Sequence, residues 1–127
     1  MSESSLTFEI QTLEKRYNKS IDDFSSFDWS CLSQYQKLSE DFISKYESKV
    51  DWYYLCAWQK LSEEFVTKYE SKVDWSCISA YQKLSEEFVA KYENKVYWPY
   101  IFQCQKLSEE FIAKYESKRK IENVVVK

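Results

Sequence analysis

The apolar positions of the chain repeat with a period of 23 residues. The pentapeptide QKLSE occurs four times at this spacing, first at Gln36, and similar aromatic and aliphatic residues recur on both sides of it. A strict period of this length is typical of stacked repeat arrays, in which each unit buries its apolar face against its neighbours. The four repeats follow one another without a linker and span residues 27–49, 50–72, 73–95 and 96–118.

Each repeat is predicted to form two short helices. In repeat three, Leu84, Phe88 and Tyr92 recur every four residues and predict an apolar stripe on the second helix. The first helix is predicted to end near the Lys-Leu of QKLSE. In three repeats, the aspartate before the tryptophan is predicted to cap the first helix. In repeat four Tyr97 takes that place, and Pro99 lies in the first turn. These aspartates are Asp28, Asp51 and Asp74.

The serine of each QKLSE is predicted to be the N-cap of the second helix, because two acidic residues follow it in the first turn. On the exposed side, acidic residues precede lysines by four positions, which predicts ion pairs such as Glu64–Lys68, Glu87–Lys91 and Glu110–Lys114. The leucine pattern and strands of leucine-rich repeats are absent from the sequence. The predicted serine caps are Ser39, Ser62, Ser85 and Ser108.

The segments outside the repeats are predicted to close the array. Residues 1–26 form an N-terminal cap, and the spacing of Leu6, Ile10 and Leu13 favours a helix, although Leu6, Phe8 and Ile10 also alternate as in a strand. Residues 119–127 form a basic C-terminal tail. The predicted fold class is therefore all-α, a small α-solenoid of four two-helix repeats with an N-terminal helical cap.

The composition argues against most kinds of catalytic site. The chain has no glycine, which excludes the loops that cradle phosphates and dinucleotides, and no histidine, which removes the commonest general base and metal ligand. We therefore expect no enzyme activity, no catalytic residue, no cofactor and no metal. The four cysteines are predicted to be reduced, small core residues. With no secretion signal or membrane-spanning run, we expect a cytoplasmic protein without membrane contact.

The first helices differ more between repeats than the second helices do. Repeats two and four carry extra aromatic residues there, and the variable positions of repeat proteins commonly form their binding surface. Ordinary packing and surface drift is the competing interpretation of the same residues. The candidate partner-binding residues are Tyr53, Tyr54, Trp58, Tyr97, Tyr100 and Phe102.

The repeated pattern D-W-x-x-[IL]-S-x-x-Q-K-L-S-E-x-F-[IV] in residues 27–118 resembles short helical-hairpin repeats of bacteriophage and giant-virus proteins. The resemblance implies a helical repeat fold and a viral or low-GC bacterial source, and it carries over no catalytic residue. Repeat four departs from the pattern at Tyr97, Pro99, Phe102 and Cys104.

These observations favour a non-catalytic protein-binding module. If the viral resemblance holds, the expected role is an inhibitor that docks on a host protein in the host cytoplasm, for example a bacterial defence nuclease of the CRISPR type. One alternative is binding of single-stranded nucleic acid, with bases stacked on aromatic rings and recurring lysines along the backbone, although the net charge of −3 makes nucleic acid unlikely. The other is a self-associating structural array. The lysines in question are Lys37, Lys60, Lys83 and Lys106.

Overall fold

The computed structural model describes residues 3–119, and all regular secondary structure within that range is helical. The chain forms two compact halves, Met1–Gln59 and Lys60–Lys127. Within these halves, first helices of consecutive repeats pack side by side, α2 against α4 and α6 against α8. The helices are α1 (Glu3–Tyr17), α2 (Ser26–Tyr35), α3 (Glu40–Lys45), α4 (Trp52–Trp58), α5 (Glu63–Lys68), α6 (Trp75–Tyr81), α7 (Glu86–Lys91), α8 (Trp98–Cys104) and α9 (Glu109–Lys114), with a 3-10 turn at Ile21–Asp23.

The predicted all-α repeat fold is confirmed. The N-terminal segment is helical rather than extended, and Leu13 is the residue of α1 that becomes buried. Ser20 caps the 3-10 turn by accepting a hydrogen bond from the backbone of Asp22. The predicted basic C-terminal tail lies almost entirely outside the described residues, which end at Arg119 in a helical turn that follows α9.

Each of repeats one, three and four is built around a tryptophan of the first helix and a phenylalanine and tyrosine of the second. In repeat three the Trp75 ring lies 6.2 Å from that of Phe88 and 4.9 Å from that of Tyr92, measured between centroids. Such tilted and offset contacts are the favoured arrangements of aromatic rings. The two helices of a repeat are therefore held together by one aromatic cluster.

The tryptophan also closes the turn that precedes its own repeat. The indole Nε1 of Trp75 donates a hydrogen bond to the backbone carbonyl of Glu70 at 3.0 Å, and that of Trp98 does the same to Glu93. Trp29 and Trp98 are buried, whereas Trp52 and Trp75 are half-buried.

The serine caps are present at all four predicted positions. Ser85, for example, accepts a hydrogen bond from the backbone N–H of Phe88 at 3.1 Å. Asp51 and Asp74 cap α4 and α6 as predicted. The prediction for Asp28 was wrong, because Ser25 is the N-cap of α2 and Asp28 completes a reciprocal capping box with it. The other serine caps are Ser39, Ser62 and Ser108.

The first helices end two or three residues earlier than predicted, just before the glutamine of QKLSE. Gln59 has extended backbone angles and is 7% exposed, so its side chain points inward. Its Oε1 accepts a hydrogen bond from the backbone N–H of Leu38 at 3.1 Å. Its Nε2 donates to the carbonyls of Ser33 at 2.9 Å and Gln36 at 2.5 Å. The glutamine therefore binds repeat two to the backbone of repeat one.

Repeat four is bound to repeat three in the same way. Gln105 Oε1 accepts from the backbone N–H of Leu84 at 3.1 Å. Its Nε2 donates to the carbonyls of Ser79 at 2.8 Å and Gln82 at 2.7 Å. The spacing to these partners equals the repeat length or differs from it by two or three residues, so the contact recurs wherever two repeats stack.

A second recurring contact joins the glutamate of one QKLSE to the serine of the next. The carboxylate of Glu86 accepts from the backbone N–H of Ser108 at 2.5 Å and from its hydroxyl at 3.0 Å. Glu63 makes the equivalent pair with Ser85 at 2.6 and 3.0 Å. The serine that caps its own helix is thus also held by the preceding repeat.

Three of the predicted ion pairs on the second helices are replaced by a different contact. Among residues 3–119, Glu64, Glu87 and Glu110 form no ion pair with the lysines four positions later. Those lysines lie over the ring of the following tyrosine, at 5.3 to 5.6 Å from its centroid. A cation over an aromatic face is attracted by the ring quadrupole, which explains the preference.

Candidate binding surface

Large aromatic side chains are exposed at the ends of the first helices. Tyr35, Trp58 and Tyr81 are the last residues of α2, α4 and α6, and 72%, 63% and 67% of their respective surfaces is exposed. They occupy the same place in repeats one, two and three. We call these three residues the aromatic series.

A glutamine and an exposed lysine follow each member of the aromatic series. Gln59 and Gln82 are buried and have extended backbone angles. Successive side chains of an extended chain point to opposite sides, so the lysine after each of these glutamines points away from the core. In repeat two the aromatic residue and the lysine are Trp58 and Lys60, and in repeat three they are Tyr81 and Lys83.

Packing of neighbouring first helices brings members of this series close together. In the N-terminal half, α2 packs against α4, and both are fixed at the same end by the contact of Gln59 with repeat one. Tyr35 and Trp58 are therefore the last residues of two helices that pack side by side. In the C-terminal half, α6 and α8 pack in the same way, and Cys104 is the exposed residue beside Tyr81.

The candidate residues of repeat two are partly exposed. Tyr53 is 57% exposed and its ring makes an edge contact with that of Tyr54, with centroids 5.5 Å apart. Tyr54 is half-buried and Trp58 is largely exposed. Tyr53 and Tyr54 lie at the start of α4 and Trp58 at its end, so the structure brings the first two together and separates the third.

The candidate residues of repeat four are less exposed. Tyr97 and Tyr100 are 39% and 38% exposed, and their rings meet edge to face at 4.8 Å. Phe102 is half-buried, lies 5.6 Å from the ring of Trp98 and has the guanidinium of Arg119 over its face at 5.3 Å. Phe102 therefore packs mainly within its own repeat.

Sequence reasoning missed Tyr35 and Tyr81. An aromatic residue that recurs in several repeats is typical of packing between repeats, and this is how the two tyrosines look in the sequence. The sequence carries no further signal that separates these two tyrosines from core residues.

The cysteines are free thiols in different environments. Cys56 and Cys77 are buried as predicted, Cys31 is half-buried, and Cys104 is exposed, which is contrary to the prediction. Burial raises the pKa of Cys77 to about 11, and the nearby carboxylate of Asp74 acts in the same direction. A thiol with so high a pKa is a poor nucleophile at neutral pH.

Two features of residues 3–119 bear on the kind of site. The cysteine, aspartate and glutamate side chains in this range form no group of three or more that could hold a metal ion, and the chain has no histidine. Within the same range, the helices are too short and too polar for any of them to cross a membrane.

Comparison with known proteins gave no relative. No protein-family model, no curated protein and no solved structure matches the chain.

Proposed function

We propose that the protein is a non-catalytic binding module whose first helices dock on a protein partner. The observation that supports the proposal is the aromatic series, in which Tyr35, Trp58 and Tyr81 keep more than 60% of their surface exposed at one repeated position. Tyrosine and tryptophan are among the residues that most often anchor protein interfaces.

The surroundings of the aromatic series favour a partner with an apolar patch edged by acidic groups. Lys37, Lys60 and Lys83 are exposed two residues after the aromatic residues. Their ammonium groups would steer and orient a partner that carries carboxylates beside its apolar contact. The resemblance of the repeats to those of viral proteins makes a host protein, such as a defence nuclease, the first class of partner to test.

The test is an affinity capture from nuclease-treated host lysate with three forms of the chain. We expect one host protein to be retained in stoichiometric amount by the wild type and lost by Tyr35→Ala/Trp58→Ala/Tyr81→Ala. The matched control is Lys49→Ala/Lys72→Ala/Lys95→Ala, which changes three exposed residues at another repeated position. Equal retention by all three forms would exclude the aromatic series as the binding surface.

A further pair of variants distinguishes this surface from the one predicted by sequence variation. Tyr53→Ala and Tyr97→Ala remove exposed rings at the starts of α4 and α8, away from the aromatic series. If binding is lost in these variants and retained in the aromatic-series variant, the candidate residues at the helix starts form the interface.

Single-stranded nucleic acid is the second candidate ligand, because each member of the aromatic series is followed by an exposed lysine. Stacking on an aromatic ring next to a cation is the usual arrangement in proteins that bind single strands. Fluorescence anisotropy with labelled oligonucleotides tests it. Binding that weakens steeply with added salt and disappears in the aromatic-series variant would favour nucleic acid over protein.

A further inference from the structure

The two ends of the repeat array differ in how their hydrogen-bonding groups are used. Where repeats three and four stack, the earlier repeat offers a leucine N–H, two carbonyls and a glutamate carboxylate, and the later repeat supplies a glutamine and a serine. We call the first set the trailing face and the second set the leading face. The trailing face of repeat four and the leading face of repeat one have no neighbouring repeat within residues 27–118.

The trailing face of repeat four has no partner among residues 3–119. The N–H of Leu107, the carbonyls of Phe102 and Gln105, and the carboxylate of Glu109 correspond to the groups that repeat three uses to hold repeat four. Within the described chain these groups accept or donate no hydrogen bond to another repeat.

The apolar residues of this face are also incompletely covered. Leu84 and Val89 of repeat three are 8% and 0% exposed, whereas their counterparts Leu107 and Ile112 of repeat four are only half-buried. The end of the array therefore combines exposed apolar surface with polar groups set in the geometry of an internal contact.

The leading face of repeat one is covered by α1 instead of by a repeat. The carboxylate of Glu9 accepts from the backbone N–H of Ser39 at 2.9 Å and from its hydroxyl at 2.6 Å, as Glu86 does for Ser108. Arg16 donates to Gln36 Oε1, in the place that a leucine N–H takes in the internal contacts. Helix α1 thus supplies some of the hydrogen bonds that a trailing face would supply.

Helix α1 supplies fewer hydrogen bonds to repeat one than a trailing face supplies to the next repeat. Among the described residues, Gln36 Nε2 finds no carbonyl acceptor, whereas Gln59 and Gln105 each find two. Leu13 is the residue of α1 that is buried, and a groove of about 710 Å³ lined by Phe8, Leu13 and Leu38 remains beside the helix. A true trailing face would satisfy more groups and fill more space than α1 does.

We propose that α1 is a displaceable cap, and that a chain whose α1 has detached docks its leading face on the trailing face of a second copy. In that head-to-tail contact Gln36 Oε1 accepts from Leu107 N–H, and Gln36 Nε2 donates to the carbonyls of Phe102 and Gln105. Ser39 donates to Glu109. These groups at the two ends are complementary, whereas the hydroxyl that Ser33 and Ser79 offer to a backbone N–H of the next repeat has no counterpart in repeat four, where Phe102 takes its place.

In the intact chain α1 is tethered beside its own leading face, so its effective concentration there is high and it excludes a second copy. The wild type is therefore expected to be monomeric, and association is expected only when α1 is released. Because such a contact is heterologous, it does not close on itself and extends to trimers and longer chains.

The test uses sedimentation velocity on full-length variants over a range of concentrations. Glu9→Lys/Leu13→Asp releases α1 without changing any repeat, and its weight-average mass is expected to rise past the dimer as concentration increases. Adding Leu107→Asp/Glu109→Lys to the same chain removes the trailing face and is expected to return it to the monomer. The wild type and the trailing-face changes alone serve as monomeric controls.

A mixing experiment distinguishes specific docking from nonspecific association. The released chain with a blocked trailing face has only its leading face free, and the wild type has only its trailing face free. Mixed together, they are expected to form a one-to-one pair and nothing larger, with slowed hydrogen exchange at the Leu107 amide of the wild type. Association that persists in the blocked variant by itself would overturn the proposal.

Two other outcomes would also overturn it. A released chain that stays monomeric at all concentrations would show that the trailing face does not bind a second copy. If the double change at α1 prevents folding, as seen by circular dichroism, Glu9→Gln is the milder variant. It removes the charge that holds Ser39, and no increase in association over the wild type would refute the displaceable cap.

Discussion

Replacing Gln59 by alanine tests the contact that joins neighbouring repeats. The side chain is 7% exposed and makes three hydrogen bonds to the backbone of repeat one, at Leu38, Ser33 and Gln36. A hydrogen bond of this kind contributes about 1 kcal/mol net, and alanine leaves the buried backbone groups without partners. We therefore expect Gln59→Ala to lower the free energy of unfolding by about 3 kcal/mol.

Urea unfolding followed by circular dichroism measures the change by linear extrapolation. Lys60→Ala is the matched control, because Lys60 is the exposed neighbour and a surface change of this kind usually alters stability by less than about 0.5 kcal/mol. Gln36→Ala is an internal comparison. Gln36 is half-buried, and within residues 3–119 its side chain is hydrogen-bonded only to Arg16, so its loss is expected to cost about 1 kcal/mol or less.

The reasoning fails if Gln59→Ala is no more destabilising than Lys60→Ala. A sharper check is Gln59→Glu, which keeps the shape but turns a donor into a second acceptor facing the carbonyls of Ser33 and Gln36. This variant is expected to be less stable than Gln59→Ala at neutral pH. It should regain stability on acidification, because the neutral carboxylic acid can donate to one of the two carbonyls and its pKa is raised in the folded state.

Three other measurements check the caps, the thiols and the charges. Ser85→Ala removes the N-cap of α7 and also the hydroxyl that donates to Glu63 of repeat two. It is expected to lower the free energy of unfolding in urea by about 1–2 kcal/mol. A decrease of less than about half that amount would contradict a role in both contacts. Cys104 is expected to react with a thiol reagent in the folded protein while Cys77 reacts only on unfolding, as mass spectrometry of labelled peptides would show, and equal rates would refute the assigned burial. The hydrogen bonds of Lys19 and the capping box lower the pKa of Asp28 below 3.8, so its stabilising contribution is present above that pH and is lost as the pH falls through the lowered value. An NMR titration is expected to show this pKa rising in Lys19→Met, and an unchanged value would exclude the ion pair as its main cause.

The parts of the fold that depend on local sequence could be predicted. A serine followed by two acidic residues predicted its helix start at Ser39 and at each later copy, because an N-cap is decided within three residues. Asp28 was assigned wrongly because Asp51 and Asp74 set the pattern, although Ser25 three residues earlier offered a capping box. The capping box was present in the sequence, but the comparison between repeats favoured Asp28 as the N-cap.

The contacts between repeats could not be predicted in the same way. Gln59 bonds to backbone groups that are 21 to 26 residues away, and backbone groups carry no side-chain signature in the sequence. Of the predicted binding residues, Trp58 and Tyr53 are exposed, whereas the exposure of Tyr35 and Tyr81 was seen only in the structure.

The glutamine contact also has a consequence for how such chains change in length. Gln59 and Gln105 bind groups of the preceding backbone that every repeat possesses, whatever its other side chains are. A duplication or loss of 23 residues by recombination between the near-identical coding units would keep these partners at the same spacing. A descendant with three or five repeats would inherit complete contacts at every junction, and the repeat number could vary without a new interface having to evolve.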